Sequence, residues 1–357
     1  MTTVNRQILL AKRPQGAPKP TDFTIATGPV PVPGEGQVLI RNLLVSLDPY
    51  NRIIMGNANS DQPPIDLGEP MFGFTVAIVE ASNHPGFRAG DHVASMSGWQ
   101  DYAVSDGSDL RTIDPAAAPL SANLGILGMT GLTAWVGLTK VIDPRPGGTL
   151  VVTAAAGAVG SAAAQIGKLR GQRVVGVAGG PEKARHLLED LGLDAAVDYK
   201  APDFTAQLAR AVPDGIDTVY ENVGAPMVAP LLPHLNPKAQ IAVGGVMSAI
   251  TATTAADGPD RLPDLLRAVL YKDLLLQGFS VPDYFDCYPE FLDELGPAVA
   301  AGAVRYAEHV IEGLDAIPDA FPDMFTGRVT GKMIARIASP EFSAERSCRT
   351  DETLTAG

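Results

Sequence analysis

The residues with the clearest chemical potential lie where an apolar segment turns into a segment of small residues. TLVVTAAAGAVGSAAAQIGKLRG (149–171) predicts a buried strand, a tight turn and an alanine-rich helix. Such a turn lets a pyrophosphate approach the backbone N–H groups at the positive end of the helix. The residues at the turn are Gly157, Ala158, Val159 and Gly160. Ala155 replaces the first glycine of the usual fingerprint, and packing alone could explain the others, but the strand–turn–helix context predicts a dinucleotide site.

A second segment indicates which dinucleotide this would be. An acidic residue about 20 positions after the fingerprint would bind the two adenosine-ribose hydroxyls of NAD. The next predicted strand ends instead in Gly179 and Gly180. Glycines leave room for the 2′-phosphate of NADP, and Lys183, with Arg185 as a further candidate, would compensate its charge. The alternative is that both cations are solvated helix residues beside Glu182, but the missing acid favours NADP.

The composition narrows the class of protein. The 357 residues carry a formal net charge of −13, which argues against nucleic-acid binding because phosphate backbones require clustered Lys and Arg. No apolar run reaches the roughly 18 residues of a transmembrane helix, and we expect neither a membrane span nor a signal peptide. Because Cys287 and Cys348 are far apart in the sequence, we expect free thiols and a cytoplasmic location.

Two kinds of pattern divide the chain. Short β-like runs separated by Pro and Gly turns fill roughly the first 120 residues and predict a small barrel-like β unit. Six strand candidates alternating with helices follow, as in a complete Rossmann sheet. We therefore predict an α/β protein with a β-rich domain at 1–122, a Rossmann domain at 123–300, a return to the first domain at 301–340 and a flexible tail at 341–357.

Motifs along both predicted domains resemble one known family. The chain contains, in this order, AAAGAVGS, VVGVAGGPEKAR, VDYK, YENVGA and LLLQGF, and the match extends to SLDPYNR, GDHV, GWQDYAV, GMTGLTAW and GPDRLP. Over roughly residues 5–338 it is similar to the zinc-independent medium-chain dehydrogenases/reductases, in the branch of leukotriene B4 dehydrogenases, prostaglandin reductases, alkenal double-bond reductases and curcumin reductase. The resemblance implies a GroES-like catalytic domain joined to a Rossmann domain, and reduction by NADPH of a C=C bond conjugated to a carbonyl group.

The resemblance also implies which residues hold NADP(H). The turn residues 157–160 would hold the pyrophosphate, and Lys183 and Tyr199 would contact the adenosine 2′-phosphate. The rest of the cofactor channel would be lined by Asn222, Gly244, Gly245 and Phe279.

Hydride transfer to an enone places negative charge on the carbonyl oxygen, so the site needs a hydrogen-bond donor there. Tyr50 of SLDPYNR matches a family tyrosine near the substrate, and its phenol could donate to that oxygen, or it could be an aromatic packed at the domain boundary. Many relatives carry a second tyrosine where this chain has Ala249 and Ile250, and commonly an asparagine where it has Val329. Side chains that could substitute are Ser248, Tyr271 and Tyr284.

No metal is expected in this chemistry. Zinc-dependent relatives use a catalytic Cys and a Gly-His-Glu segment, whereas GEPMFGFTVA (68–77) has neither and His92 is isolated. We predict metal-free reduction of small hydrophobic α,β-unsaturated ketones or aldehydes. The alternatives are an NADPH-dependent quinone or carbonyl reductase in a biosynthetic pathway, motivated by the missing tyrosine, and an NADPH-binding protein without turnover. The resemblance further implies a homodimer joined at the sixth Rossmann strand, LLLQGFS (274–280).

Overall fold

The structure, a computed structural model, describes residues 4–56, 62–254 and 259–339. The predicted flexible tail and Cys348 lie outside the described residues. The strands, in chain order, are β1 Val4–Leu10, β2 Phe23–Pro29, β3 Val38–Ser46, β4 Thr75–Ser82, β5 His92–Ser95, β6 Tyr102–Ser105, β7 Arg111–Ile113, β8 Thr149–Val152, β9 Arg173–Ala178, β10 Ala195–Asp198, β11 Ile216–Glu221, β12 Leu235–Val243, β13 Leu275–Gly278, β14 Glu308–Glu312 and β15 Lys332–Arg336.

The helices lie mainly in the middle of the chain. They are α1 Pro49–Ile54, α2 Met129–Val136, α3 Ala158–Leu169, α4 Pro181–Arg185, α5 Phe204–Ala211, α6 Ala225–Leu231, α7 Met247–Ile250, α8 Leu262–Lys272, α9 Tyr288–Ala300 and α10 Ile317–Ala320. Single π-helical turns, Gly137–Val141 and His186–Asp190, extend α2 and α4. No helix among these described residues is long and apolar enough to cross a bilayer.

Strands β8 to β13 form one parallel sheet in the order β10-β9-β8-β11-β12-β13, which is the Rossmann arrangement. Its central strand β8 is apolar and fully buried because helices cover both faces. Leu150 packs into a cluster that contains residues of α2 and α3, whereas Val151 faces the opposite cluster with Leu208 of α5. The predicted α/β fold class and the predicted six-stranded sheet are confirmed.

The remaining strands make a two-stranded sheet, β1-β2, and a seven-stranded sheet in the order β14-β15-β3-β4-β5-β7, with β6 also paired to β3. The late strand β15 pairs antiparallel with β3, so Ile334 and Ala335 are buried beside Val45. The chain therefore returns to the β-rich sheet after the Rossmann sheet. An isolated parallel bridge between Gly157 and Gly331 joins the start of α3 to the residue before β15.

Candidate active site

The predicted phosphate turn lies between β8 and α3. Gly157 precedes the helix in an extended conformation, and Gly160 lies in its first turn. A Cβ atom on Gly160 would stand 2.3 Å from the carbonyl oxygen of Ala154, so only glycine allows the helix to approach the strand end this closely. Ala154 itself has a φ of 47°, the left-handed conformation that glycine usually supplies. Ala154 is therefore the residue of this turn with an unusual backbone conformation. The sequence had instead drawn attention to its neighbour Ala155.

Lys183 and Tyr199 come together at the end of β9. The Tyr199 ring covers Gly179 so closely that a Cβ there would lie 2.8 Å from it. The Lys183 ammonium donates a 2.6 Å hydrogen bond to the carbonyl oxygen of Val329. Burial lowers the pKa of Lys183, and the charge of Lys200, a residue missed in the sequence, adds to the lowering. Arg185 is exposed to solvent.

An acidic residue does stand nearby, at the end of the next strand. One oxygen of Asp198 accepts the backbone N–H of Gly180 at 2.7 Å and that of Lys200 at 2.9 Å. Its carboxylate therefore stabilises the loop after β9 and the loop after β10. It does not occupy the position directly after β9 at which an NAD-binding acid is found. The region after β9 and β10 combines cations, glycine and an exposed aromatic ring, which suits a phosphate.

Two neighbouring loops carry the predicted cofactor residues Asn222, Gly244 and Gly245. Asn222 donates its side-chain N–H to the carbonyl oxygen of Thr153 at 2.8 Å, and the backbone N–H of Gly244 donates to the carbonyl oxygen of Glu221 at 2.8 Å. A Cβ on Gly244 would lie 2.8 Å from the Tyr220 hydroxyl, and one on Gly245 3.1 Å from the carbonyl oxygen of Asn222. Glycine is therefore needed at Gly244, where a side chain would overlap the Tyr220 ring, whereas the contact at Gly245 is tight but less severe.

Glu221 holds these loops from within, a role that the sequence did not reveal. Its side chain is completely buried at the end of β11. One carboxylate oxygen accepts the backbone N–H groups of Val223 and Gly224 at 2.5 and 2.7 Å. Burial raises the pKa of Glu221 against the opposing effect of these N–H groups. The strand-end sequence YENVG was the available signal, because an acid in a buried strand end needs local donors.

Phe279 follows β13 and packs against the Rossmann core. Its ring meets the edge of the Tyr284 ring at 6.3 Å between centroids. Tyr284, one of the candidate substitutes for the missing family tyrosine, is thus in contact with a predicted cofactor residue.

Tyr50 is the second residue of α1 and is 37% exposed. Its ring contacts the edge of Phe72 at 6.0 Å between centroids, and Phe72 contacts Phe74 in the same way. Helix α1 packs against α7, which follows the loop of Gly244 and Gly245. Tyr50 is therefore an aromatic at the domain boundary and also a partly exposed residue near α7.

Ser248 and Tyr271, considered as substitutes for the missing family tyrosine, are poorly placed for that role. Ile250 is buried, and the Ser248 hydroxyl already donates to the carbonyl oxygen of Val223 at 2.7 Å. Tyr271 is 80% exposed on α8. In the ranges that the structure describes, no cluster of three or more His, Cys, Asp or Glu could hold a metal ion. His92 lies on β5, paired with apolar residues of β4 and β7.

Comparisons with known proteins agree with this architecture. Residues 6–113 match the family described as the N-terminal domain of oxidoreductase, and residues 158–296 match the family described as zinc-binding dehydrogenase. The NADPH-dependent curcumin reductase of Escherichia coli K12 is 47% identical over 338 residues, covering 94% of this chain and 98% of that protein. The NADP(+)-dependent 2-alkenal reductase of Nicotiana tabacum is 38% identical over 320 residues, covering 88% and 92%.

A solved structure is also similar over nearly the whole chain. CurA from Vibrio vulnificus in complex with NADPH superimposes with a TM-score of 0.89 at 43% identity, covering 94% of this chain and all of that one. The predicted family is confirmed: the chain belongs to the zinc-independent medium-chain dehydrogenases/reductases.

Proposed function

We propose that this protein is an NADPH-dependent oxidoreductase that reduces the C=C bond of small hydrophobic α,β-unsaturated ketones and aldehydes. The observation that carries the proposal is the position of Tyr50. Its helix packs against α7, which follows the loop of Gly244 and Gly245. The similarity to the curcumin reductase and the 2-alkenal reductase supports the same reaction class.

NADP(H) would be bound by the residues that the sequence predicts. The turn at 157–160 would hold the pyrophosphate, because Gly160 leaves no side chain between the helix and the strand end. Lys183 and Tyr199 would contact the 2′-phosphate, while Asn222, Gly244, Gly245 and Phe279 would line the remaining channel. When bound, NADPH supplies the hydride.

Tyr50 would act on the substrate. Its hydroxyl would donate a hydrogen bond to the carbonyl oxygen, where negative charge develops as the β-carbon accepts hydride. Phe72, which packs against the Tyr50 ring, would form part of an apolar wall that favours hydrophobic substrates and excludes water.

The direct test is oxidation of NADPH by the purified protein with a broad panel of enones, enals, quinones and saturated carbonyl compounds. With 4-deuterated NADPH, C=C reduction leaves deuterium on the carbon β to the carbonyl group, whereas carbonyl reduction leaves it on the carbinol carbon. We expect the first pattern. Carbinol labelling or a preference for quinones would favour the alternative reductase, which the aliphatic side chains of Ala249 and Ile250 motivate. Tight NADPH binding without any turnover would identify a binding protein.

We also propose a cytoplasmic homodimer joined through β13. This strand is the edge of the Rossmann sheet, and Leu275 and Leu276 on it are each 42% exposed. An uncovered apolar edge strand is suited to pairing with the same edge of a second copy. We expect Leu276→Asp to be monomeric in light scattering. A matched control is Leu169→Asp, which changes a similarly exposed leucine on α3 and should leave the dimer intact. If wild type is monomeric at micromolar concentration, the dimer proposal is wrong.

A further inference from the structure

The segment 329–332, which leads into β15 at Lys332, contacts residues on both the nucleotide side and the Tyr50 side of the proposed site. The carbonyl oxygen of Val329 accepts the Lys183 ammonium. The backbone N–H of Gly331 donates to the carbonyl oxygen of Ala156 in the phosphate turn at 2.8 Å. Gly331 has a φ of 74°, and a Cβ on it would lie 2.0 Å from the carbonyl oxygen of Ala307, so this path of the chain requires glycine.

Lys332 contacts the residues that precede the helix of Tyr50. Its side chain is 4% exposed, and its ammonium donates to Asp48 at 2.5 Å and to the carbonyl oxygen of Leu47 at 2.7 Å. Asp48 is equally buried and also accepts the hydroxyl of Ser46. A buried charge pair of this kind is costly to break, so it fixes the geometry of the groups it joins.

Asp48 is the residue before α1, the helix of Tyr50. Its backbone N–H donates to the side-chain oxygen of Asn51 at 2.8 Å, and the Asn51 amide donates to the carbonyl oxygen of Phe72 at 2.7 Å. Phe72 in turn packs against Tyr50. The orientation of Tyr50 thus depends on a contact series that begins at Lys332.

We propose that Lys332 is a positioning residue for hydride transfer, which holds the helix of Tyr50 in register with the phosphate turn. The inference rests on the function proposed above. Lys332 itself touches neither the substrate nor the nicotinamide in this role. It acts through Asp48 on one side and, through the adjoining Gly331, on the turn that receives the pyrophosphate.

The test uses Lys332→Met and the double variant Asp48→Asn/Lys332→Met, which leaves no unpaired buried charge if the single variant fails to fold. We expect kcat to fall by about tenfold or more, because small misplacements of a catalytic group are costly, while the NADPH Kd stays within about threefold. The primary isotope effect with 4-deuterated NADPH should rise as hydride transfer becomes limiting. Lys332→Arg should recover part of kcat, since it restores a cation beside Asp48.

Arg41→Met is the matched control. Arg41 is a buried cation on β3 that pairs with Glu80, outside the contacts around α1. We expect its kcat to stay within about twofold even if its unfolding temperature falls as far as that of Lys332→Met. If both variants lose kcat equally, or if NADPH affinity falls in step with kcat, Lys332 is merely structural and the inference is overturned.

A second measurement does not depend on turnover. NADPH should slow hydrogen–deuterium exchange in the peptide that contains α1 of the wild type, and this protection should be lost in the double variant but kept in Arg41→Met. A wild type that shows the protection but reduces no enone would refute the proposed function and leave the coupling through Lys332 intact. Unchanged protection in the double variant would refute the coupling alone.

Discussion

The proposed nucleotide wall, around Gly160 and Gly244, and the proposed substrate wall, around Asp48 and Lys332, are built by opposite means. On the nucleotide wall, Gly160 and Gly244 shape the site by lacking side chains, since an added Cβ would approach backbone or ring atoms within 3 Å. On the substrate wall, the site is fixed by buried polar side chains, above all Asp48 and Lys332. We therefore expect the nucleotide wall to be disrupted by added side-chain atoms, and the substrate wall to be disrupted by the loss of side-chain atoms. The expected damage also differs: lost cofactor affinity on one wall, and slower hydride transfer on the other.

The largest effect should follow from adding one methyl group to the nucleotide wall. In Gly160→Ala the new Cβ would meet the carbonyl oxygen of Ala154 at 2.3 Å, a backbone atom with little room to move. We expect the free energy of unfolding to drop by about 3 kcal/mol and NADPH affinity to fall more than about a hundredfold. Urea unfolding and fluorescence titration measure the two effects.

Gly157→Ala serves as the control for that change. Its Cβ would stand 3.3 Å from the same oxygen, a distance that a small shift relieves. The comparison is made on the free energy of unfolding, because Gly157 is itself proposed to contact the pyrophosphate. Equal losses of unfolding free energy in the two variants would show that close packing is not what Gly160 provides.

On the substrate wall, Tyr50→Phe removes only the hydroxyl. We expect kcat to fall by about a hundredfold, as for other oxyanion donors, with the NADPH Kd and the unfolding temperature unchanged. Steady-state kinetics with an enone test this. Tyr271→Phe, which changes an exposed tyrosine on α8, should have no effect. Full activity of Tyr50→Phe would reduce Tyr50 to a packing role.

A smaller effect is expected at Lys183. Lys183→Met should raise the NADPH Kd about tenfold or more, since a charge-assisted hydrogen bond contributes about 1.5–3 kcal/mol. The NADH Kd should hardly change, because NADH has no 2′-phosphate. Arg185→Ala, at the exposed end of the same helix, is the comparison and should matter less. Parallel losses for both cofactors would place Lys183 outside the phosphate site.

The smallest effect is a dependence of cofactor preference on pH. The phosphate favours the ammonium form of Lys183 over the neutral amine, so NADPH affinity falls as pH rises through the pKa of this lysine in the free protein. Burial lowers that pKa, and the fall should therefore begin at a lower pH than for an ordinary lysine. The ratio of NADPH to NADH affinity, measured across alkaline pH, should decline in wild type and stay flat in Lys183→Met. A constant ratio in wild type would contradict this assignment.

The same contrast explains what the sequence could predict. The nucleotide wall depends on short segments, in which the phosphate turn and the glycines after β9 stand next to the strands and helices that they join. Their spacing was enough to predict the Rossmann sheet, whereas the family was identified from the resemblance of motifs along both domains. The partners on the substrate wall are remote, since Lys332 and Asp48 are 284 positions apart. The contact of Lys183 with Val329, which are 146 positions apart, is similarly remote. No local pattern encodes such pairs.

Single residues show the same limit. Val329 was noted for the side chain it lacks, whereas the structure uses its carbonyl oxygen, which every residue has. Glu221 was passed over although YENVG places an acid at a buried strand end, because backbone N–H partners are present at nearly every position and do not mark a role. Tyr50 was found through resemblance, while its support by Phe72 required the folded chain.

The contact between Lys183 and Val329 has one further consequence. A neutral carbonyl oxygen orders the lysine side chain without cancelling its charge, so in the proposed phosphate site the ammonium would be oriented before NADPH binds and would still attract an anion. A carboxylate in that place would hold the lysine as firmly but leave a neutral pair. The contact with Val329 thus orients the Lys183 ammonium and leaves its positive charge uncompensated.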